Sequence, residues 1–341
     1  MYIFWIILSF FIIAYLSWRI TGWIYNHSIL KSIFDYPNLR SLHSKPTPYG
    51  GGLSISILAL VSVLFLWQVN ILSMDVALAI LVGGSLVTII GWIDDRLNCS
   101  RSIRIFFYLL ASIWAVFWLL KADSMFLIDH IPLAIGLIAG LFWIINLYNF
   151  MDGSDGIVAV QTICTGFMVA ILFLDMHEVG LAMFTFVVVA SSVGFLIWNW
   201  PPARIFMGDV GSCMLGFMYG ALVVESYLNN TLPLSVWLIL LSVFICDTSL
   251  TLMMRVISGD KWYLAHKQHG YQRFIQMGNS HRKVNIYILI INLLILYPLS
   301  YLVYKFNHYQ WLITTIVFIL LISIWLLIQK QYKEYFRQAS Q

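Results

Sequence analysis

Two adjacent carboxylates, Asp94 and Asp95, stand at the end of an apolar run, and Arg96, Arg101 and Arg104 follow them. Each charge held at bilayer depth would cost about 2.5 to 3.5 kcal/mol on insertion scales, so the pair calls for a chemical reason. Carboxylate oxygens suit Mg²⁺ or Mn²⁺, which usually bind one or two carboxylates together with substrate phosphates. The arginines would hold the remaining phosphate oxygens. The segment predicts a place where a metal ion meets phosphates; simple anchoring at the membrane boundary is the alternative.

A second segment, residues 146–156, is dense in amides and acids. Asn146 and Asn149 have an i, i+3 spacing, as do Asp152 and Asp155, so any helical portion shows each pair on one face. Two glycines in the segment permit a break in the helix. Helix capping accounts for one acid, but not for both acids together with both amides. We therefore interpret the segment as part of a polar site.

Two further loops contain candidate ligands. Asp209 follows Gly208 in a proline-led loop, where its carboxylate either turns toward a metal or caps the span that follows. His266 and His269 have the i, i+3 spacing again. No Cys or further His stands close enough in the sequence to complete a zinc site, so phosphate contact or proton handling is favoured. An ordinary loop position is the alternative for each histidine taken singly.

The first polar loop ends in a proline-stiffened stretch, Lys45 to Pro48, which Gly50, Gly51 and Gly52 follow. Glycine lets backbone N–H groups approach a ligand closely, so this stretch is able to cradle an anion. The other interpretation is an ordinary loop ahead of a helix, and on this segment alone that interpretation is preferred.

The elements that carry these loops are membrane spans. Of the 341 residues, 61% are hydrophobic and only 10% are charged, and the mean hydropathy is +0.87, far outside the range of soluble globular proteins. The sequence predicts an all-α, polytopic integral membrane protein with about eleven transmembrane helices. The predicted spans lie near residues 2–25, 51–68, 75–93, 104–121, 131–149, 157–174, 179–199, 211–228, 234–257, 284–305 and 309–328.

The distribution of basic residues predicts the orientation of these spans. All of the 19 Lys and Arg residues except Lys121 and Lys305 fall on one side of the predicted membrane. By the positive-inside rule that side is the cytoplasm, so the N-terminus faces out and the C-terminus is cytoplasmic. Every polar cluster described above falls on the same cytoplasmic face. The basic residues are spread over separate loops and show no nucleic-acid-binding pattern, so no nucleic-acid partner is expected.

The chain is predicted to be one transmembrane catalytic domain, residues 1–341. Its active site is expected from the cytoplasmic loops near residues 26–50, 94–104, 149–156, 200–211 and 258–283. The four cysteines have no spacing typical of zinc or disulfide sites. Asp247 lies inside a predicted span, where a functional acid and a structural pair with a basic residue on another helix are both open.

Taken in order, the five polar segments resemble the polyprenyl-phosphate N-acetylhexosamine-1-phosphate transferases, glycosyltransferase family 4. The segments that carry the resemblance are Lys45 to Gly52, Asp94-Asp95-Arg96, Asn149 to Gly156, Phe206 to Ser212 and His266 to His269. The resemblance implies a bacterial enzyme of the cytoplasmic (inner) membrane, with its active site facing the cytoplasm. Undecaprenyl phosphate would attack the sugar-linked phosphorus of a UDP-N-acetylhexosamine, and UMP would leave.

The resemblance also implies roles for single residues. The expected metal ligands, for Mg²⁺ or alternatively Mn²⁺, are Asp209 and Asp95. The expected catalytic residues are Asp94, Asp95, Asp152, Asp155, His266 and His269. Of these, Asp94 would deprotonate or orient the lipid phosphate. The expected substrate-binding residues are Lys45, Asn149, Arg96, Arg101 and Arg104. Direct attack and a covalent route through an aspartate are both open.

The motifs look more like the branch that starts O-antigen or common-antigen synthesis than like phospho-MurNAc-pentapeptide transferase, because Lys267 and Gln268 interrupt the histidines. The sugar is open: GlcNAc, or a 6-deoxy relative such as QuiNAc or FucNAc. Membrane lipid is an expected partner, and a homodimer is an open alternative to a monomer. A rival class is an ion-coupled transporter, which predicts charges near the bilayer midplane rather than acids gathered at one face.

Overall fold

Helices of membrane length follow one another along most of the chain. The computed structural model describes residues 2–37, 42–121, 130–261, 264 and 266–339. In chain order the elements are α1 (Tyr2–Leu30), β1 (Phe34–Asp35), β2 (Thr47–Pro48), α2 (Leu53–Gln68), α3 (Met74–Leu97), α4 (Arg101–Leu119), α5 (Ile131–Met151), α6 (Ile157–Asp175), α7 (Val179–Asn199), α8 (Asp209–Leu228), α9 (Leu234–Leu240), α10 (Ser242–Ile257), α11 (Gly270–Gln276), α12 (His281–Ile291), α13 (Tyr297–Lys305) and α14 (Gln310–Ala339). A π-helical turn, Asn292–Leu296, joins α12 to α13. The all-α prediction is confirmed, with one short antiparallel pair, β1–β2, in the first loop.

Nine helices or continuous helical runs within the described ranges are long and apolar enough to cross a membrane, and the bent pair α9–α10 is a tenth candidate. Two predicted spans differ from the straight helices expected. Helix α2 has 16 residues, about 24 Å of rise, which is shorter than a hydrocarbon core of about 30 Å. The ninth predicted span is broken near Leu241, where its two halves meet at 74°. The last helix continues to Ala339, beyond the predicted end of its span.

Helix α8 lies in the centre of the bundle and brings the polar loops together. A Cβ atom at Gly216 would lie 2.6 Å from the carbonyl oxygen of Ile144, so α5 packs directly against the backbone of α8. On another side, a Cβ atom at Gly91 would lie 2.7 Å from the backbone nitrogen of Val210. The last turn of α3, with its acid pair, is therefore pressed against the first turn of α8, which begins at Asp209.

Buried polar side chains surround the bend between α9 and α10. Gln161 on α6 donates from Nε2 to the carbonyl oxygen of Leu240 (2.7 Å), and Thr165 donates from Oγ1 to the same oxygen (3.3 Å). Asn292, the first residue of the π-helical turn, donates to Oε1 of Gln161 (3.0 Å). A buried polar group left without a partner costs about 1 to 3 kcal/mol. These contacts therefore stabilise the bend and tie it to the π-helical turn.

We expect the double variant Gln161→Leu/Thr165→Val to lower the free energy of unfolding by about 1 to 3 kcal/mol, because it removes both side-chain donors to the carbonyl of Leu240. Denaturant unfolding in detergent micelles measures this change. Thr185→Val is the matched control, since the Thr185 hydroxyl is also buried but donates only within its own helix, to the carbonyl of Leu181 (2.7 Å). Equal effects of the control and the double variant would contradict the role given to this pair.

Candidate active site

The polar loops meet at one end of the helix bundle around a cavity of about 640 Å³. Its lining comes from the β1–β2 region, the end of α3, the segment after α5, the α7–α8 loop and the starts of α11 and α12. Six carboxylates line it: Asp35, Asp94, Asp95, Asp152, Asp155 and Asp209. Acids from four segments that are far apart in the sequence thus share one cavity.

Arg104 joins two of these acids. Its Nη1 atom donates to Oδ2 of Asp94 (2.9 Å) and to Oδ2 of Asp209 (2.9 Å). Asn149 at the end of α5 donates from Nδ2 to Oδ1 of Asp209 (2.7 Å). Hydrogen bonds in which both groups are charged are stronger than neutral ones, so the guanidinium fixes the distance between the two carboxylates. Helices α3, α4, α5 and α8 are therefore locked together at Asp209.

Asp95, the neighbour of Asp94, faces the start of α8. Its Oδ1 accepts the backbone N–H of Asp209 (2.8 Å), and its Oδ2 accepts that of Val210 (3.3 Å). The first N–H groups of a helix have no partner within the helix and attract negative charge, so Asp95 acts as a cap supplied by another helix. Gly208 makes room for it, because a Cβ there would lie 2.4 Å from Oδ2 of Asp95 and φ is +77°. Asp95 therefore positions Asp209, and its role as a metal ligand stays a prediction.

The cavity is lined by more acidic than basic side chains. Asp152 follows the last residue of α5, and burial raises its pKa well above the ordinary value, with Asp209 and Asp95 adding to the rise. Arg104 is the cation that contacts Asp94 and Asp209. Among the described residues, no group of three or more His, Cys, Asp or Glu side chains is arranged around one metal position. The surplus of hard oxygen donors nevertheless fits a divalent ion that keeps water and phosphate ligands, as Mg²⁺ does.

Asp155, another acid of the lining, ties three segments together. Its Oδ2 accepts the N–H of Ala203 (3.0 Å), and its carbonyl oxygen accepts from Nδ2 of Asn285 (2.9 Å). Its own N–H donates to Nδ1 of His281 (3.1 Å), which also lies 3.1 Å from Oγ of Ser154. Because an N–H can only donate, Nδ1 of His281 accepts this hydrogen bond.

The sequence interpretation missed His281, which lines the cavity from the first residue of α12. The available signal was a histidine near the end of the predicted site loop 258–283, which was assigned to the same face as the acids. A helix-capping serine, Ser280, precedes it. A residue in this position is pointed at the loops rather than at the lipid.

The glycines of the first loop serve a different purpose from the anion cradle considered above. The N–H of Gly51 donates to the carbonyl oxygen of Phe206 (2.9 Å), and that of Gly52 donates to the carbonyl oxygen of Met207 (2.9 Å). In return, the N–H of Phe206 donates to the carbonyl oxygen of Pro48 (2.8 Å). The backbone N–H groups of Gly51 and Gly52 thus already donate to backbone carbonyl oxygens. The interpretation that these two groups cradle an anion is therefore wrong. They join the first loop to the loop before Asp209.

Other residues of the first loop form one side of the cavity. They are Phe34, Asp35, Tyr36, Leu42, His43 and Tyr49. The ring of His43 meets the ring of Phe206 edge-on at 4.9 Å, and its Nε2 lies 3.9 Å from Oδ2 of Asp35. Lys45 is exposed and lies outside the lining. Residues 38–41 of this predicted site loop lie outside the described residues.

None of the three predicted phosphate-binding arginines lines the cavity, but Arg104 contacts two of the acids that do. The guanidinium of Arg96 stacks on the indole of Trp92, with 4.0 Å between the guanidinium carbon and the ring centroid. Arg101 is exposed on the first turn of α4. Of the arginines in this segment, the structure places only Arg104 between the acids. The phosphate-binding roles of Arg96 and Arg101 stay predictions.

The loop that contains the histidine pair is anchored on α10 by Asp247. The two carboxylate oxygens accept the N–H groups of Gly270 (2.7 Å) and Tyr271 (3.0 Å). Oδ1 also lies 3.5 Å from Nδ1 of His269. Of the two interpretations open for this intramembrane acid, the structure shows a partnered carboxylate. Its partners are the first two amides of α11, the hydroxyl of Thr251 (3.2 Å) and the ring of His269.

His266 and His269 stand beside the acidic cavity without lining it. The buried ring of His269 lies between those of Phe150 and Tyr271, with centroid distances of 6.4 and 5.7 Å, and the ring of His266 is 4.9 Å away. Burial, followed by the nearby His269 and Arg255, lowers the pKa of His266 to about 4. His266 is therefore neutral at pH 7. Trp262, Tyr263 and Ala265 of this predicted site loop lie outside the described residues.

Comparison with known proteins bears on this arrangement. Residues 77–227 match the sequence profile described as glycosyl transferase family 4. A probable undecaprenyl-phosphate N-acetylglucosaminyl 1-phosphate transferase of Bacillus subtilis is 31% identical over 297 residues, which are 84% of this chain and 81% of the relative. A decaprenyl-phosphate N-acetylglucosaminephosphotransferase of Mycolicibacterium smegmatis is 27% identical over 310 residues, which are 81% and 76% of the two chains.

A phospho-N-acetylmuramoyl-pentapeptide-transferase of Halalkalibacterium halodurans is 31% identical over 234 residues, which are 62% of this chain and 69% of the relative. This similarity covers less of the chain than the similarity to the two N-acetylglucosamine transferases does.

The residues that match the family profile include the acid pair of α3, the polar segment after α5 and the start of α8. The protein therefore belongs to glycosyl transferase family 4.

Proposed function

We propose that the protein transfers an N-acetylhexosamine 1-phosphate from a UDP-sugar to undecaprenyl phosphate. A phosphate oxygen of the lipid attacks the sugar-linked phosphorus. The bond from that phosphorus to the oxygen bridging the two phosphates breaks, and UMP leaves with the electron pair. The products are the lipid-diphospho-sugar and UMP. GlcNAc is the first donor to test because two relatives are named for it, and QuiNAc and FucNAc are the 6-deoxy alternatives.

The observation that carries the proposal is the convergence on Asp209 at one end of the bundle. Arg104 and Asn149 hold its carboxylate, and Asp95 holds its backbone N–H. Transfer between two phosphate-bearing substrates depends mainly on positioning and on charge neutralisation. The four helices that hold the acids in place provide the positioning. The excess of acidic side chains binds a cation, and that cation provides the charge neutralisation.

Within this cavity each side chain has a proposed task. Asp94, held by Arg104, orients the lipid phosphate or accepts its proton. Asp152 and Asp155 shape the pocket for the nucleotide and the metal. Asp209, with Asp95 or Asp152, holds Mg²⁺, with Mn²⁺ as a substitute. When bound, the ion neutralises the diphosphate and stabilises the charge on the leaving UMP.

The proposed location is the bacterial cytoplasmic membrane, with the acidic cavity facing the cytoplasm, where UDP-sugars are made. The distribution of Lys and Arg residues supports this orientation. The lipid-linked product would start the synthesis of a cell-envelope polysaccharide, O-antigen among the candidates. The pentapeptide transferase reaction is less favoured, because the similarity to that branch covers less of the chain. An ion-coupled transporter is disfavoured by acids gathered at one end of the bundle.

We expect Asp209→Asn to reduce UMP release by at least about 100-fold, the effect typical of removing one group that stabilises transition-state charge. The assay uses purified protein, undecaprenyl phosphate, Mg²⁺ and UDP-GlcNAc. Asp175→Asn is the matched control: that carboxylate binds Lys305 (2.8 Å) and Tyr304 (2.7 Å), and both its partners lie outside the lining of the acidic cavity. Full activity of Asp209→Asn would overturn its role, and no UMP with any UDP-N-acetylhexosamine would overturn the proposed reaction.

Metal binding can be measured without turnover. We expect the protein to remove free Mn²⁺ from solution in an electron paramagnetic resonance titration, and Asp209→Asn to weaken that binding by at least about tenfold, because a hard cation loses a charged oxygen ligand. The control Asp175→Asn should bind Mn²⁺ as the unaltered protein does. A chelator should abolish UMP release, and added Mg²⁺ should restore it. Unchanged Mn²⁺ binding by Asp209→Asn would place the metal elsewhere.

The lowered pKa of His266 predicts its protonation state. Because burial disfavours the charged ring, His266 should remain neutral as the pH falls through the ordinary histidine value of about 6.5, and should titrate near 4. Nuclear magnetic resonance of histidine-labelled protein measures the midpoint, and His266→Gln identifies the signal. A midpoint near 6.5 in the substrate-free protein would show that His266 is a cation in mildly acidic solution, contrary to this account.

A further inference from the structure

A second polar cavity, of about 450 Å³, lies beside the acidic one. Its lining comes from the end of α1, the start of the first loop and the last turn of α3. The basic side chains on it are His27, Lys31 and Arg96, and the residues that line it include no Asp or Glu within the described part of the chain. We call it the basic cavity.

The basic cavity shares Phe34 and Tyr49 with the acidic cavity. The two spaces therefore adjoin at these aromatic side chains. Consecutive residues of α3 line different cavities here: Asp94 and Asp95 line the acidic cavity, whereas Arg96 lines the basic cavity. Consecutive residues of a helix point about 100° apart, which is how one turn of α3 supplies groups of opposite charge to two cavities.

Two exposed tryptophans stack on basic side chains of the basic cavity. Trp23 stacks on His27 with 5.6 Å between ring centroids, and Trp92 stacks on Arg96 at 4.0 Å. Both pairs have the i, i+4 spacing of a helix face. Trp23 is 66% exposed and Trp92 is 40% exposed. Exposed tryptophans near the ends of spans are typical of the level of lipid head groups.

We propose that the basic cavity binds the phosphate group of a membrane lipid. Arginine and lysine bind phosphate as a fork of donors and as a point charge, respectively, and here both lie on one concave surface. The excess of basic residues on one membrane face does not explain why three of them line one cavity. It also does not explain why tryptophans stack on two of the three. Two lipids present this chemistry: undecaprenyl phosphate, the acceptor of the proposed reaction, and an ordinary anionic phospholipid. The first identification rests on the proposed function; the second does not.

The test is native mass spectrometry of delipidated protein titrated with undecaprenyl phosphate, dioleoylphosphatidylglycerol, dioleoylphosphatidylcholine or inorganic phosphate. We expect Lys31→Gln/Arg96→Gln to weaken the binding of at least one of the two anionic lipids by about tenfold or more, because two charge-assisted contacts are lost. The control Lys267→Gln/Arg282→Gln makes the same change of charge at two exposed residues outside both cavities and should bind as the unaltered protein does. Lys31→Arg should retain binding. The unfolding midpoint of each variant shows whether it is folded.

The outcomes separate the two sources. Loss confined to undecaprenyl phosphate identifies the acceptor, and loss confined to phosphatidylglycerol, or shared by both lipids, identifies a site for anionic lipid in general. Equal loss in the control variant, no loss with either anionic lipid, or inorganic phosphate bound as tightly as the lipids would overturn the proposal. Because binding is measured without UMP release, a failure here is distinct from a failure of the proposed reaction.

Discussion

The charge balance around Asp209 is the constraint on which the rest of the site depends. Carboxylates of α3 and α8 lie close enough to repel one another, and a single guanidinium from α4 separates and holds two of them. The backbone contributes as well, because Asp95 accepts the first N–H groups of α8 and so uses the partial positive charge of the helix start. Removing Arg104 would leave Asp94 and Asp209 without the cation that separates and holds them.

Close backbone packing makes this concentration of charge possible. Gly52 and Gly211 approach so closely that a Cβ on Gly52 would lie 2.4 Å from the Cα of Gly211. The first loop is hydrogen-bonded to the loop before α8 through the amides of Gly51 and Gly52. These contacts fix the wall of the cavity before any ligand is present, and phosphoryl transfer benefits most from such preorganised positioning.

Hydropathy predicted the all-α fold and the approximate position of most spans, because these depend on local composition. The bend near Leu241 was not predictable in this way, since its carbonyl is satisfied by Gln161 and Thr165 from another helix. Likewise, an i, i+3 spacing indicates a shared face but not what that face meets. The sequence therefore indicated that Asn149 and Asp209 belong to a site, without showing that they bind each other.

Arginines and histidines were the least predictable members of the site, because their long or flexible side chains select partners only in the folded protein. Arg104 lies between two acids, whereas Arg96 stacks on Trp92 and lines another cavity. His281 lines the acidic cavity, whereas His266 stands beside it. The sequence around these residues gave no basis for the differences between them. The differences arise because the helix ends that carry these residues meet only through tertiary packing.

The reaction proposed for the acidic cavity joins a lipid phosphate to a sugar phosphate. Mass spectrometry of the lipid formed by purified protein from undecaprenyl phosphate, Mg²⁺ and UDP-GlcNAc tests it most directly. We expect undecaprenyl phosphate heavier by one N-acetylglucosamine phosphate, formed in equal amount to the UMP released. UMP released without this lipid, or unchanged lipid with each UDP-N-acetylhexosamine supplied, would contradict the proposed reaction.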